Sequence, residues 1–218
     1  MATIANDTQF IGISPTIDLT GKKSAILNEQ TIPVTMDDIT STVRPYNVFT
    51  ALLTQSGGDN VAYISSDDTE PLVVGVTYKI TFNNGGDFTN VGAPNNNVNT
   101  FFIATGTTPN SWGVVGDTEV SYNTGAPVAT VLENTIGNVW FTYGDIGAYK
   151  VNSDGLLIVN KTFSINDQTR CYNQSDQVYN LAIGSSDDNT LNIFTINDGF
   201  SLQNNFLTNK MIEIRVYE

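Results

Sequence analysis

Histidine is absent from the sequence, and cysteine occurs once, as Cys171. Without histidine, neither a Ser–His–Asp nor a Cys–His catalytic arrangement can form, and metal sites built on imidazole ligands are excluded. A single cysteine cannot form an intrachain disulfide and is too few for a cysteine-rich zinc site. The glycine-rich stretches do not match the phosphate-binding P-loop pattern. We therefore expect no cofactor and no metal.

Positive charge is scarce as well. The chain carries nine Lys and Arg against twenty-two Asp and Glu, which gives a formal net charge of −13. The basic residues are scattered, and only Lys22 and Lys23 are adjacent. Nucleic-acid backbones and anionic membrane surfaces are bound by clustered cations, so we expect neither as a partner.

Long apolar runs are also missing. No stretch approaches the roughly 20 apolar residues that a membrane-spanning helix requires. The first residues, MATIANDTQFIGIS, include neither a basic region nor a continuous apolar region. We therefore expect no secretory signal and synthesis in the cytoplasm.

What the sequence does contain is short β-prone runs separated by turns. Hydrophobic residues make up 40% of the chain, whereas charged residues make up only 14%, well below the usual quarter. The polar surface must therefore be built from Asn, Thr, Ser and Gln. Regular short strands with Gly, Asn, Asp and Pro between them predict an all-β fold, a β-sandwich or jelly roll.

The stretch around which these runs are arranged is residues 126–143, APVATVLENTIGNVWFTY. Two β-prone segments within it, 128–132 and 139–143, are separated by turn-forming residues. Because side chains alternate along a strand, Trp140 and Phe141 should point to opposite faces, and one of them should anchor a core. Further on, the Asp154-Gly155 pair between two β-prone runs predicts a hairpin.

We divide the chain into an extended N-terminal arm, residues 1–45, and a β-sandwich domain, residues 46–218, with residues 71–121 as a small β insert. The arm carries the one convincing helix signal. Thr35 is a suitable N-cap, Met36, Ile39 and Val43 share one face, and Pro45 ends the segment.

Two kinds of site can be built from the acidic residues. The two segments of the central stretch are expected to form a hairpin, and Glu133 and Asp145 flank it. They are the best-placed pair for a glycosidase, which needs carboxyls about 5–10 Å apart. The acidic clusters at 67–70 and 187–189 could hold calcium, although neither follows the spaced calcium-loop pattern. Acidic residues are common in turns, and we favour solvated turns over catalysis or metal binding for all of them.

A third kind of site rests on aromatic side chains. Trp112, Tyr122 and Tyr143 could form a platform on which the apolar face of a sugar packs. The same rings could equally pack in the core or in an interface between subunits.

Several stretches of the chain resemble a module of tailed-bacteriophage virion proteins. They are PYNVFTALLTQSG (residues 45–57), GAPVATVLENTIGNVWF (125–141), GDIGAYKVNSDGLL (144–157) and the closing IEIRVYE (212–218). Residues 74–112 are similar to an insert found in phage structural proteins. Together these stretches mark a structural module, and no catalytic residue comes with it.

The resemblance implies a non-enzymatic virion protein, either a capsid decoration or head-fibre protein or a tail component. Its partners would be other virion proteins and further copies of itself, with a trimer expected first, and its location would be the virion. The alternative is a receptor- or glycan-binding module of the particle. The N-terminal arm would attach to the particle through its apolar residues Phe10, Ile11, Ile13, Ile17, Met36, Ile39 and Val43.

Overall fold

The structure, a computed structural model, describes residues 22–27, 30–35, 44–68, 70–166, 171–172, 178–187 and 189–217. The chain divides into two compact units, Met1–Pro45 and Tyr46–Glu218. Within the described residues the only helical element is a 3-10 turn at Thr89–Val91. The prediction of an all-β, sandwich-like fold is therefore confirmed.

Seventeen strands are described. In chain order they are β1 (Lys22–Leu27), β2 (Gln30–Thr35), β3 (Tyr46–Thr54), β4 (Val61–Ser65), β5 (Thr77–Asn83), β6 (Gly86–Asp87), β7 (Phe101–Ile103), β8 (Ser111–Trp112), β9 (Thr118–Asn123), β10 (Val128–Asn134), β11 (Val139–Asp145), β12 (Ala148–Ser153), β13 (Thr162–Asn166), β14 (Cys171–Tyr172), β15 (Val178–Asp187), β16 (Thr190–Asn197) and β17 (Lys210–Tyr217).

In the first unit, β1 and β2 pair antiparallel, with Lys22 opposite Thr35. The predicted helix would follow Thr35, and its residues 36–43 lie outside the described residues. The same holds for every predicted attachment residue, namely Phe10, Ile11, Ile13, Ile17, Met36, Ile39 and Val43.

The second unit contains a sandwich of two antiparallel sheets. Their strand orders are β10-β3-β17-β13 and β11-β12-β16-β15-β14. Alternate residues of the strands are buried, as the burial patterns of β3, β16 and β17 show. The buried side chains of both sheets form one core, in which the rings of Phe49 and Phe141 lie 6.0 Å apart.

The central stretch contributes β10 to one sheet and β11 to the other, so the prediction of a central hairpin there is wrong. Phe141 is fully buried in the core, and Trp140, on the opposite face of β11, is half-buried. The alternation therefore assigns their faces correctly, and Phe141 is the core anchor.

The hairpin predicted at Asp154-Gly155 is wrong. Gly155 does form a turn, with φ of +79°, but the next strand, β13, pairs with β17 in the opposite sheet. Leu157, which follows the turn, is completely buried in the core. Because the Leu157 side chain is buried in the core, the chain crosses from the sheet of β12 to the sheet of β17 and does not pair with β12.

A smaller sheet, with strand order β4-β9-β5-β7, and the short β6-β8 pair form a second structure with its own core. We call residues 61–123 the insert. Its core is mainly aromatic and aliphatic, with Tyr78, Phe88 and Phe102 completely buried. The sheet includes β4, which lies before the predicted start of the insert at residue 71.

The insert covers the same side of both sandwich sheets, where β10 and β11 are the edge strands. Phe141 of β11 donates its backbone N–H to Thr77 Oγ1 at 3.0 Å. Ala129 of β10 donates its backbone N–H to the carbonyl oxygen of Gly75 at 2.9 Å. These two outward backbone groups are therefore bonded within the chain, which hinders pairing of a foreign strand at Phe141 and Ala129.

At one end of the sandwich the two sheets are joined by buried polar groups. Tyr149 of β12 donates its hydroxyl hydrogen to Gln55 Oε1 at 2.8 Å, immediately beyond β3. The same Oε1 accepts the backbone N–H of Asn205 at 2.7 Å. Gln55 Nε2 donates to the carbonyl oxygen of Gly125 at 3.1 Å. Burial raises the pKa of the Tyr149 hydroxyl well above its usual range, so it remains a donor at neutral pH.

Gly75 tests the docking of the insert. Its φ is +88°, and a Cβ there would lie 2.5 Å from Ala129 O. Gly75→Ala should lower the free energy of unfolding by about 1–3 kcal/mol, because it adds backbone strain and separates the Gly75–Ala129 contact. Urea unfolding followed by circular dichroism measures the loss. The matched control is Gly58→Ala, where a Cβ meets nothing within 4 Å; an equal loss in both variants would contradict the packing described here.

Tyr149→Phe tests the buried polar link between the sheets. Removal of the hydroxyl leaves Gln55 Oε1 with fewer donors in a buried site, so stability should fall by about 1–2 kcal/mol. Tyr63→Phe is the control, because Tyr63 is 59% exposed on β4. Chemical denaturation of both variants decides the matter, and an unchanged midpoint for Tyr149→Phe would show that the link contributes nothing.

Candidate functional site

The three aromatic residues predicted as a sugar platform pack against two cores, Trp112 and Tyr122 against that of the insert and Tyr143 against that of the sandwich. Trp112 packs edge-on against Phe88 at 5.4 Å, inside the insert. Tyr122 packs against Tyr78 at 5.3 Å, and Tyr143 of the sandwich packs against Tyr149 at 5.9 Å. Each ring is half-buried against a different partner. A joint platform stays a prediction, and packing accounts for each of the three positions.

The structure separates the two carboxylates proposed for glycosidase chemistry. Glu133 lies at the end of β10, next to the connection that leads into β11. Asp145 lies at the opposite end of β11, so six residue steps, or about 20 Å of strand, separate it from Val139. The pair is therefore too far apart for the proposed mechanism. Asp145 instead accepts the backbone N–H of Ile146 at 2.7 Å.

The acidic clusters have local roles in turns. Asp68 accepts a hydrogen bond from the Ser65 hydroxyl at 3.4 Å, and Asp187 accepts the backbone N–H of Asn189 at 2.8 Å. Thr69 and Asp188 lie outside the described residues. In the part of the chain that the structure describes, no group of three His, Cys, Asp or Glu residues is placed to hold a metal ion.

Asp87 is the centre of a polar network in the insert. One carboxylate oxygen accepts hydrogen bonds from the Thr89 backbone N–H, the Thr89 hydroxyl and the Asn96 amide, at 3.0, 2.7 and 3.0 Å. The other oxygen accepts from the Asn110 amide at 3.0 Å. These hydrogen bonds hold the pKa of Asp87 well below its usual range, and the bond from the Thr89 hydroxyl has the largest effect. The network connects three loops, so the role of Asp87 is structural.

One of the concave surfaces of the described residues lies where the insert meets the sandwich. We call it the junction groove; it has a volume of about 390 Å³, within the range of small-molecule sites, about 300–1,000 Å³. The residues that line it and that matter below are Asn97, Asn99, Phe101, Asn138, Trp140 and Asp154.

The apolar part of the junction groove is a stacked aromatic pair. The rings of Phe101 (β7) and Trp140 (β11) are nearly parallel, at 7°, with centroids 5.5 Å apart. Asn138 fixes this contact, because its side-chain amide donates to the carbonyl oxygen of Phe101 and to Asp154 Oδ2, both at 3.1 Å. The stack therefore joins insert to sandwich and presents aromatic surface in the groove.

The polar part of the junction groove is a tight turn at residues 97–100. Thr100 donates its backbone N–H to the carbonyl oxygen of Asn97 at 3.1 Å, and Asn99 donates to that of Ile80 at 2.7 Å. Asn99 has a φ of +72°, which asparagine tolerates better than most residues. Asn95 Oδ1 closes the turn by accepting from Asn97 N and the Thr100 hydroxyl, at 2.9 and 2.6 Å.

A second surface lies on the outward face of the sandwich sheet β10-β3-β17-β13. Tyr217 packs against Tyr46 at 5.2 Å and against Phe163 at 5.4 Å. The guanidinium of Arg215 lies 4.8 Å from the centre of the Tyr46 ring and is paired with Glu213. We call Tyr46, Phe163, Arg215 and Tyr217 the outer ladder. Phe163 is 57% exposed, and Ile165, two residues further along β13, is 40% exposed.

The sequence contained a signal for one of these groove residues and none for the others. Alternation placed Trp140 opposite the core anchor Phe141, so an outward-facing tryptophan could have been inferred. Phe101 is 37 or more residues from Asn138 and Trp140 in the chain, and only the docking of the insert brings them together. The members of the outer ladder are also distant in sequence, and they meet because β3, β17 and β13 pair in one sheet.

No family model, curated protein or solved structure matches the chain. Among the described residues, no helix has both the length and the apolar character needed to cross a membrane.

The Asp87 network predicts acid sensitivity of the insert. A carboxyl whose pKa is lowered by folding stabilises the folded state above its unfolded pKa, about 3.9, and this contribution is lost as the pH falls below that value. Trp112 fluorescence in a Trp140→Phe background should therefore report loosening of the insert below about pH 4. Asp87→Asn should weaken this pH dependence, whereas Asp67→Asn, an exposed carboxyl of the same insert, should retain it. Identical acid profiles for the two variants would contradict the assignment.

Proposed function

We propose that the protein is a non-enzymatic structural subunit of a virus particle. In this proposal residues 1–45 anchor the chain to the particle, and the β-rich unit of residues 46–218 is displayed on it as a head decoration, head fibre or tail component. The resemblance of residues 45–57, 125–141, 144–157 and 212–218 to phage virion proteins favours this role.

The observation that carries the proposal is the outer ladder. Cores of protein–protein interfaces are enriched in Tyr, Phe and Arg and depleted in Lys, Glu and Asp. Glu213, an acidic residue beside the ladder, is paired with Arg215. The ladder places Tyr46, Phe163, Arg215 and Tyr217 side by side on three adjacent strands. Half or more of Phe163 is open to solvent, and exposed aromatic surface of this kind fits a face that packs against a neighbouring subunit.

The charge and the sandwich edges support the same role. Low charge density allows faces rich in Asn and Thr to pack closely, while the net charge of −13 keeps assembled particles apart. The insert lies against the β10 and β11 edges, which hinders strand pairing between neighbouring copies at these two edges. We propose a closed homo-oligomer, with a trimer as the first expectation, that binds other virion proteins.

Phe163→Lys tests the assembly. Size-exclusion chromatography with light scattering should give an oligomeric mass for the unaltered chain and a monomeric mass for this variant, because a charge would be buried in the contact. Phe82→Lys is the matched control: Phe82 is 55% exposed, on β5 of the insert and away from the ladder. It should leave the oligomer intact.

The particle itself provides the second readout of that experiment. Virus particles purified from cells that produce the chain should contain it in stoichiometric amounts, and cryo-electron microscopy should locate residues 46–218 on the particle exterior. An unaltered chain that stays monomeric and is absent from purified particles would overturn the proposed function.

A further inference from the structure

We propose that the junction groove is a binding site for a short, neutral saccharide built from hexose or N-acetylhexosamine units. This goes beyond the structural role, and it does not depend on where the protein is placed in a particle. It differs from the predicted platform, because none of Trp112, Tyr122 and Tyr143 contributes to it.

The first argument is the aromatic surface. Sugar rings have an apolar face of C–H groups that packs on the electron-rich face of an aromatic ring. Trp140 lines the groove and is held in position by its stack on Phe101. The bonds of Asn138 to Phe101 and Asp154 fix the two sides of the stack relative to one another. The aromatic floor therefore exists before any ligand arrives, which lowers the entropic cost of binding.

The second argument is the set of polar groups around that floor. The backbone groups of the turn at 97–100 are bonded to Ile80, Asn95 and each other, while the side-chain amides of Asn97 and Asn99 form no hydrogen bond with any described protein group. Each amide offers donors and an acceptor together. Asp154 adds a carboxylate that accepts one bond from Asn138 and has further lone pairs available. Adjacent sugar hydroxyls, which donate and accept at once, match this set.

The third argument is charge. Asp154 lines the groove with its carboxyl group, and no lysine or arginine lines it; the Lys79 ammonium lies 5.6 Å from the centre of the Phe101 ring but lines the neighbouring cavity. The chain as a whole carries a net charge of −13. Phosphorylated, sulfated and uronic-acid ligands are therefore repelled, and a purely apolar ligand would leave the amides and the carboxylate without partners. Neutral saccharides satisfy both conditions.

Trp140 is itself the probe for the experiment. The chain has two tryptophans, so in a Trp112→Phe background the emission comes from Trp140 alone. This protein is titrated with glucose, galactose, mannose, N-acetylglucosamine, maltose, lactose and diacetylchitobiose. At least one should produce a saturable change in emission in the millimolar range typical of weak sites, about 1 mM corresponding to −4.1 kcal/mol. Glucose 6-sulfate should bind at least about tenfold more weakly than glucose-based ligands.

Variants assign the response to the groove. Asn97→Ala should weaken binding about fivefold or more, the effect of losing one hydrogen bond to a ligand; because its side chain bonds to no described group, the fold should be retained. Asn47→Ala makes the same chemical change at an exposed position on β3 and should leave binding unchanged. The absence of a saturable response to every saccharide, in fluorescence and in saturation-transfer NMR, overturns the proposal. So does a response that persists unchanged in both Asn97→Ala and Asp154→Ala.

Discussion

The hydrogen bond from the Phe141 backbone N–H to Thr77 Oγ1, at 3.0 Å, joins the two cores of the β-rich unit. Phe141 carries the largest ring of the central stretch in the sandwich core, and Thr77 begins the strand β5 that is central to the insert. This bond holds the insert against the edge strand β11 in one orientation. In that orientation Phe101 stacks on Trp140. The Thr77 hydroxyl oxygen accepts a backbone hydrogen bond that a neighbouring strand would otherwise accept, and it leaves no new strand edge exposed.

The outer ladder and the junction groove differ in how they are built. The outer ladder lies on one regular sheet, so its side chains are spaced by the pleat and neighbouring strands, and it is open over a flat area. The junction groove lies between two structures, and its residues come from a turn, from two strands of different sheets and from the loop after β12. A flat aromatic face suits a large partner, whereas a small concave one suits a small ligand.

Local patterns in the sequence predict a good part of the fold. Alternation identifies β3, β11, β16 and β17, and it separates Phe141 in the core from Trp140 outside it. Pairing between strands is harder, because it depends on which distant residues share a core. Leu157 is buried in the sandwich, and this overrides the Asp154-Gly155 hairpin signal. Likewise, β4 is readily predicted as a strand, but only its register with β9 makes it part of the insert.

Sites were less predictable than strands for the same reason. Glu133 and Asp145 are close in the sequence, yet the direction of β11 carries Asp145 to the end of the sheet away from the β10–β11 connection. Phe101, by contrast, is 37 residues away from Asn138 in the sequence and is part of no recognisable motif. The Asn-rich stretch at 95–99 serves the turn, as the bonds of Asn95 and the left-handed conformation of Asn99 show.

The insert leaves and rejoins the sandwich at almost the same point. Thr124 N bonds to the carbonyl oxygen of Asn60 at 2.8 Å, the Asn123 amide bonds to Asp59 at 2.8 Å, and a Cβ on Gly125 would lie 2.6 Å from Gly58 O. Segments whose ends lie together in this way can be exchanged as cassettes, because the host strands keep their order when the content between the ends changes. The surface that the insert contributes can thus change by replacement of one block of chain, while the sandwich that carries it keeps its structure.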